Sequence, residues 1–185
     1  FAHGKFYSSS YKNFDETKNN SKKISEDIIK EGTVLLKNNN VLPLKKDSKI
    51  TLFSRSSVDL VYSGTGSSNI NFDNKITLKD AFEDKGIKVN NILWNRYLID
   101  SNYRKAGIME DKNSKYQMSV GESDKNIYLE KKIINSFYDF NDLAIIVISR
   151  IGGEGYDLSK DNFIDGQNGY LSLTTKEQDM IDVAK

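Results

Sequence analysis

Cysteine is absent from all 185 residues, which excludes a disulfide framework and any cysteine-ligated zinc site. That absence leaves the redox compartment open. Histidine occurs once, as His3, so a Ser-His-Asp set or a multi-histidine metal centre has nothing to build on. Acid–base chemistry, if present, must come from carboxylates, and neither a metal nor a cofactor is expected. An excess of one charge is also missing. Lys plus Arg total 27 and Asp plus Glu 26, for a net charge of +1, so nothing calls for nucleic acid or a membrane surface as partner. No apolar run approaches the ~20 residues that cross a bilayer, so no membrane insertion by this segment is expected. An initiator methionine and a signal-like stretch are both lacking at Phe1. The chain therefore reads as a piece of something longer, beginning at a cut or processed end.

What is present suffices for a core: 37% hydrophobic residues, with ten Tyr and nine Phe. The length fits one ordinary domain. Residues 1–22 have no sustained period and are expected to form an N-terminal arm. Its first part, Phe1 to Asn13, either docks through Phe6, Tyr7, Tyr11 and Phe14 or stays loose. Ile24, Ile28 and Ile29 then fall on one helical face, opposite Lys22, Lys23, Glu26, Asp27 and Lys30. That helix ends at Gly32 or runs on into Val34-Leu35-Leu36. Asn38-Asn39-Asn40 marks a turn, and Pro43, the only proline, bounds an extended entry.

Lys49 to Ser54 reads as a short strand, followed by the polar loop Ser63-Gly64-Thr65-Gly66-Ser67-Ser68. Thr77-Leu78-Lys79-Asp80 has the pattern of a capping box and predicts a helix stopping at Gly86. Ile87 to Leu93 reads as a second strand with Val89 and Ile92 in the core. Residues 95–126 are polar and weakly patterned, either helix plus loop or an insertion. Ile127 to Phe140 predicts a helix. The continuous β-branched run Leu143 to Ile148 predicts a parallel strand buried on both faces. Thr174-Thr175-Lys176-Glu177 is a second capping-box pattern, opening a last helix through Met180, Ile181 and Val183. Strands alternating with helices mean an α/β layered sheet.

The stretch with most chemical content is Ser149-Arg150-Ile151-Gly152-Gly153-Glu154-Gly155-Tyr156-Asp157. Functional loops of open parallel sheets gather at the carboxyl ends of strands, and glycines let a loop present a carboxyl group outward. Glu154 is then either a solvated turn residue or a general acid/base tuned by Arg150 or Asp157. The Gly64–Ser68 loop is a poor phosphate site. Its first glycine comes too late after the strand for a dinucleotide turn, and the Walker ending is missing. Trp94 and Tyr97 read as packing before sugar stacking, Glu122 as a solvated loop carboxylate, and Arg55 and Arg104 as surface charges.

Taken in order, Glu31-Gly32-Thr33-Val34-Leu35-Leu36-Lys37-Asn38, Leu42-Pro43-Leu44 and Ile50-Thr51-Leu52-Phe53 resemble the opening of the second domain of glycoside hydrolase family 3. Ile148 to Asp157, Leu171-Ser172-Leu173 and Glu177-Gln178 continue the likeness, which covers residues 24–185. The resemblance implies a three-layer α/β sandwich around a mostly parallel sheet, spanning residues 23–185 and incomplete because the final strands are missing. It also implies a retaining β-glycosidase, β-glucosidase-like, whose acid/base loop lies here and whose aspartate nucleophile lies in a separate (β/α) barrel. By position Glu154 corresponds to the acid/base. Arg150, Tyr156 and Asp157 fall where the pocket would be shaped to bind the substrate, an oligosaccharide or other glycoside. Leu158 departs from the pattern, since many relatives carry Arg there. Alone, the fragment is expected to be inactive, and its incomplete sheet is expected to be covered by self-association with another copy of the chain, by the remainder of the polypeptide or by a swapped element. The alternative is a non-catalytic carbohydrate-binding or interdomain scaffold module of the same fold. A stand-alone flavodoxin-like domain is a more distant reading. The composition suits a secreted or surface-attached protein.

Overall fold

The computed structural model describes residues 10–62, 75–101, 107–109, 117–119, 121–151 and 169–185. The chain divides into two units, Phe1–Pro43 and Leu44–Lys185.

In the first unit, helix α1 spans Phe14–Gly32, so the helix begins ten residues before Ile24, where its apolar spacing becomes visible in the sequence. The start is fixed by a reciprocal cap. Asn13 Oδ1 accepts from the Glu16 N–H at 2.8 Å, and Glu16 reaches back to the Lys12 N–H at 2.7 Å. Asp15 and Glu16 in the first turn and Lys30 in the last suit the helix dipole. The helix buries none of its residues; Ile24, Ile28 and Ile29 are exposed. The asparagine turn forms as the sequence predicts: Asn38 Oδ1 accepts from the N–H groups of Val41 and Leu42.

The second unit is built on a parallel sheet of order β2-β1-β5, with β1 at Lys49–Phe53, β2 at Lys88–Val89 and β5 at Leu143–Ile146. Ile50 stands opposite both Val89 and Leu143, which sets the register. Residues 50–53 of the central strand are all buried. Their alternation divides the core between two faces, as side chains of a strand must. Ile50 and Leu52 join Ile87, Val89 and Trp94, with Leu78 and Phe82 of helix α3 (Leu78–Glu83) packed against them. Phe53 joins Leu93 and Tyr97 of α4 (Asn91–Ser101), Ile127, Tyr128, Ile133 of α5 (Lys131–Asp139) and Met180 of α6 (Thr175–Ala184). This is the expected three-layer α/β arrangement. A four-residue helix α2, Arg55–Val58, follows β1 directly, and β3 (Gly107–Met109) pairs antiparallel with β4 (Gln117–Ser119).

Both capping boxes form, Thr77 with Asp80 and Thr174 with Glu177. Gly86, at φ +76°, ends the turn after α3, a dihedral that favours glycine. Other sequence expectations change. The strand expected over Ile87 to Leu93 is only Lys88–Val89, because Asn90 caps a helix beginning at Asn91; Ile92 is exposed rather than core. Residues 95–126 contain most of that helix and the β3–β4 pair. The helix expected from Ile127 is a 3₁₀ turn, Lys125–Leu129, separated from α5 by Glu130 in extended backbone (ψ 126°). Strand β5 pairs as predicted but is half-buried with Ala144 exposed, since β1 covers only one of its edges among the described residues.

Candidate active site region at the strand ends

The carboxyl ends of β1 and β5 carry the polar chemistry of the second unit. At the end of β1, Ser54 holds φ +89°, a region costly to any side-chain-bearing residue. Three contacts hold it there. Its N–H donates to Tyr97 Oη at 3.0 Å, its Oγ caps the Ser56 N–H at 3.0 Å, and its carbonyl accepts from Ser57 Oγ at 2.7 Å. The Tyr97 and Tyr128 hydroxyls bond to each other in the core below. Burial, then the neighbouring Tyr128 and the Glu122 charge, push the Tyr97 phenol well above its ordinary range. Burial and the Glu122 charge do the same for Tyr128 against the lowering bond from Tyr97, so both stay neutral.

Glu122 closes this cluster and is not the solvated carboxylate the sequence suggests. It is buried and accepts from the Arg55 N–H through both oxygens at 3.2 Å and from the Ser123 N–H at 2.7 Å. Arg55 is likewise no plain surface charge: it is partly buried, and its guanidinium donates to the Asp100 carbonyl at 2.6 Å. Ser123 Oγ donates to Asp100 Oδ2 at 2.8 Å. Burial raises the Glu122 carboxyl above its ordinary value of 4.5, against the lowering effect of bonds from Ser54, Ser123 and Arg55. A folded-state value above the unfolded one stabilises the fold fully below 4.5, and that stabilisation is lost as pH rises through the raised value. The stability of wild type relative to Glu122→Gln should therefore fall as pH increases from about 4 to about 8. Urea unfolding of both chains across that range tests it; a flat or rising difference would refute the assignment.

At the end of β5, the chain enters the segment that carries three of the four predicted site residues. Glu154, Tyr156 and Asp157 lie outside the described residues, as does the Gly64–Ser68 loop. Arg150 is described, and its surroundings are unusually complete. Nε donates to the Tyr170 carbonyl at 2.7 Å. One terminal nitrogen donates to the Ser149 carbonyl at 2.9 Å and Glu177 Oε1 at 2.6 Å, the other to the Ser172 carbonyl and Glu177 Oε2, both at 2.8 Å. Glu177 Oε2 also accepts from the Thr174 N–H at 2.9 Å, within the cap of α6. The sequence marks Glu177 as a capping residue and gives no sign that it also takes a bidentate arginine from 27 residues away. Trp94 and Tyr97 are core, as the packing reading expects. Among the described residues no group of three or more His, Asp or Glu could hold a metal ion, and no helix is long and apolar enough to cross a membrane.

Comparison with known proteins places this arrangement. The β-glucosidase of Ruminococcus albus is 29% identical over 137 residues, and β-glucosidase A of Butyrivibrio fibrisolvens 28% over 138. These alignments take in 70% and 69% of the chain but only 13% and 14% of those curated relatives, so the chain spans a small part of their length. Among solved structures, β-glucosidase 3B from Thermotoga neapolitana in complex with α-D-glucose matches with a TM-score of 0.65 at 27% identity, over 90% of this chain and 22% of that one. A β-glucosidase from Paenibacillus barengoltzii shares the fold, with a TM-score of 0.66 at 24% identity over 88% of this chain and 17% of that one. Residues 33–184 match the family described as the glycosyl hydrolase family 3 C-terminal domain. With a parallel sheet flanked by helices and a glycine-rich segment leaving the end of β5, this chain belongs to that family.

Proposed function

We propose that this chain is part of a retaining β-glycosidase of β-glucosidase type, to which it supplies the acid/base carboxylate Glu154. The observation that carries the reading is the position of Glu154. It follows β5 by a few residues within Gly152-Gly153-Glu154-Gly155, in a chain whose family and relatives are those of β-glucosidases. In this reading a separate barrel domain of the same polypeptide provides the aspartate that attacks the anomeric carbon. Glu154 gives its proton to the glycosidic oxygen as that bond breaks, and the leaving alcohol departs. Water then attacks the glycosyl-enzyme, returning a proton to Glu154 and releasing the sugar. Tyr156 and Asp157 lie next to Glu154 in sequence and shape the substrate pocket. The fragment alone is inactive in this scheme because the attacking aspartate is on the barrel domain.

The experiment is product analysis of Glu154→Ala in the full-length protein with an activated aryl β-glucoside and sodium azide. A β-glucosyl azide product is expected, because removal of the acid/base leaves room for a small anion that needs no deprotonation. Unchanged activity on every glucoside, with no azide adduct, would overturn the reading and favour a scaffold role.

A further inference from the structure

Arg150 has five N–H donors and no acceptor, and five acceptors surround it: the carbonyls of Ser149, Tyr170 and Ser172 and both oxygens of Glu177. The pair is withdrawn from solvent, with side-chain exposures of 18% for Arg150 and 6% for Glu177. A guanidinium so engaged has no donor left over for a sugar hydroxyl. Its partners are also telling. Arg150 stands just before residues 152–168, and Tyr170 and Ser172 stand just after them, in a turn closed by the Ser172 N–H on the Gly169 carbonyl at 3.1 Å. Gly169 takes φ +80° there, which suits glycine. Glu177 in turn is fixed by the α6 cap.

From this we infer that Arg150 is a positioning residue. With Glu177 it joins the two flanks of the segment carrying Glu154 and anchors both to the α6 N-terminus, and Glu154 depends on those fixed flanks for its work. The inference rests on the proposed role of Glu154. A planar, bidentate fork suits this task because it fixes direction as well as distance, which a lysine ammonium does not.

The test uses the full-length protein and compares Arg150→Met, Arg150→Lys, Glu177→Gln and Glu154→Ala on phenyl and dinitrophenyl β-glucosides, with thermal midpoints recorded. Glutamine at 177 can still serve the capping box, so that variant carries the test if Arg150→Met fails to fold. A misplaced acid slows glycosylation only where the leaving group needs a proton, and kcat/KM reports that step. Arg150→Met and Glu177→Gln should therefore lose about 10- to 100-fold in kcat/KM on the phenyl glucoside, with little loss of kcat/KM on the dinitrophenyl glucoside, whose kcat falls because deglycosylation needs the same group as base. Arg150→Lys should recover only part of the loss. Equal loss of kcat/KM on both substrates would overturn the inference, and so would a raised KM at constant kcat, which marks a substrate contact. If Glu154→Ala shows the leaving-group dependence and the clamp variants do not, the positioning role alone fails. If Glu154→Ala shows none, the acid/base reading itself fails, and the inference with it.

Discussion

In the full-length protein, Glu154→Ala is expected to lower kcat by about 10²–10⁴-fold on glucosides with poor leaving groups, the usual worth of a positioned proton donor. The phenyl glucoside releases an oxygen whose conjugate acid has a pKa of about 10, so the bond breaks slowly unless a proton arrives with it. A dinitrophenolate leaves unaided, and its glucoside should form the glycosyl-enzyme at close to the wild-type rate. Deglycosylation still lacks a base, so the intermediate should accumulate and produce a burst of phenol followed by a slow steady state. Azide should accelerate that steady state. Stopped-flow release of phenols from a graded series measures the whole pattern as a steeper dependence on leaving-group pKa. An unchanged slope would remove Glu154 from the chemistry.

The largest stability effect is expected at Asn90, which is buried at the join of β2 and α4. Its Oδ1 accepts from the Ile92 and Leu93 N–H groups at 3.1 and 3.3 Å, and its Nδ2 donates to Thr51 Oγ1 at 3.2 Å and Ser136 Oγ at 2.9 Å. Both hydroxyls already direct their protons elsewhere, Thr51 to the Phe140 carbonyl at 2.8 Å and Ser136 to the Ile133 carbonyl at 2.7 Å. The position therefore demands a side chain with two protons on one side and an acceptor on the other. Asn90→Ala loses the helix cap and two buried bonds, a cost of about 2–4 kcal/mol. Asn90→Asp keeps the shape and the cap but sets a bare carboxylate oxygen against two hydroxyl oxygens. At neutral pH it should cost about 3–5 kcal/mol. The isosteric change being the worse of the two is the distinctive outcome. Urea unfolding decides it, and a cost for Asp below about 1 kcal/mol would show that the network is not as described.

Asn90 also shows why part of the fold was hidden in the sequence. Ile87, Val89, Ile92 and Leu93 read together as one strand because their apolar spacing does not reveal a cap between them. Capping boxes that open on threonine with an acidic residue three positions on were legible, as at Thr77 with Asp80 and Thr174 with Glu177, whereas the asparagine caps at Asn13 and Asn90 were not. Glu122 was misread for the opposite reason. Its neighbours are polar, and nothing local says that the Arg55 amide from another element will seal it from water. The same limit applies to Arg150, whose partner Glu177 was noted in the sequence only as a cap.

The sequence by itself determined the α/β class, the central strand, both capping boxes and, through ordered motifs, the kinship with glycoside hydrolase family 3. The first three are written in local periodicity or in spacing along the chain; the kinship rests on the resemblance of whole motifs in order. Only the tertiary structure decided that Glu122 is buried, that Asn90 ties two strands to two helices, and that Arg150 is fully engaged with Glu177 and the turn at Gly169–Ser172. Those facts depend on groups far apart in sequence meeting where water is excluded. There the value of a polar side chain is set by the partners that the fold brings to it.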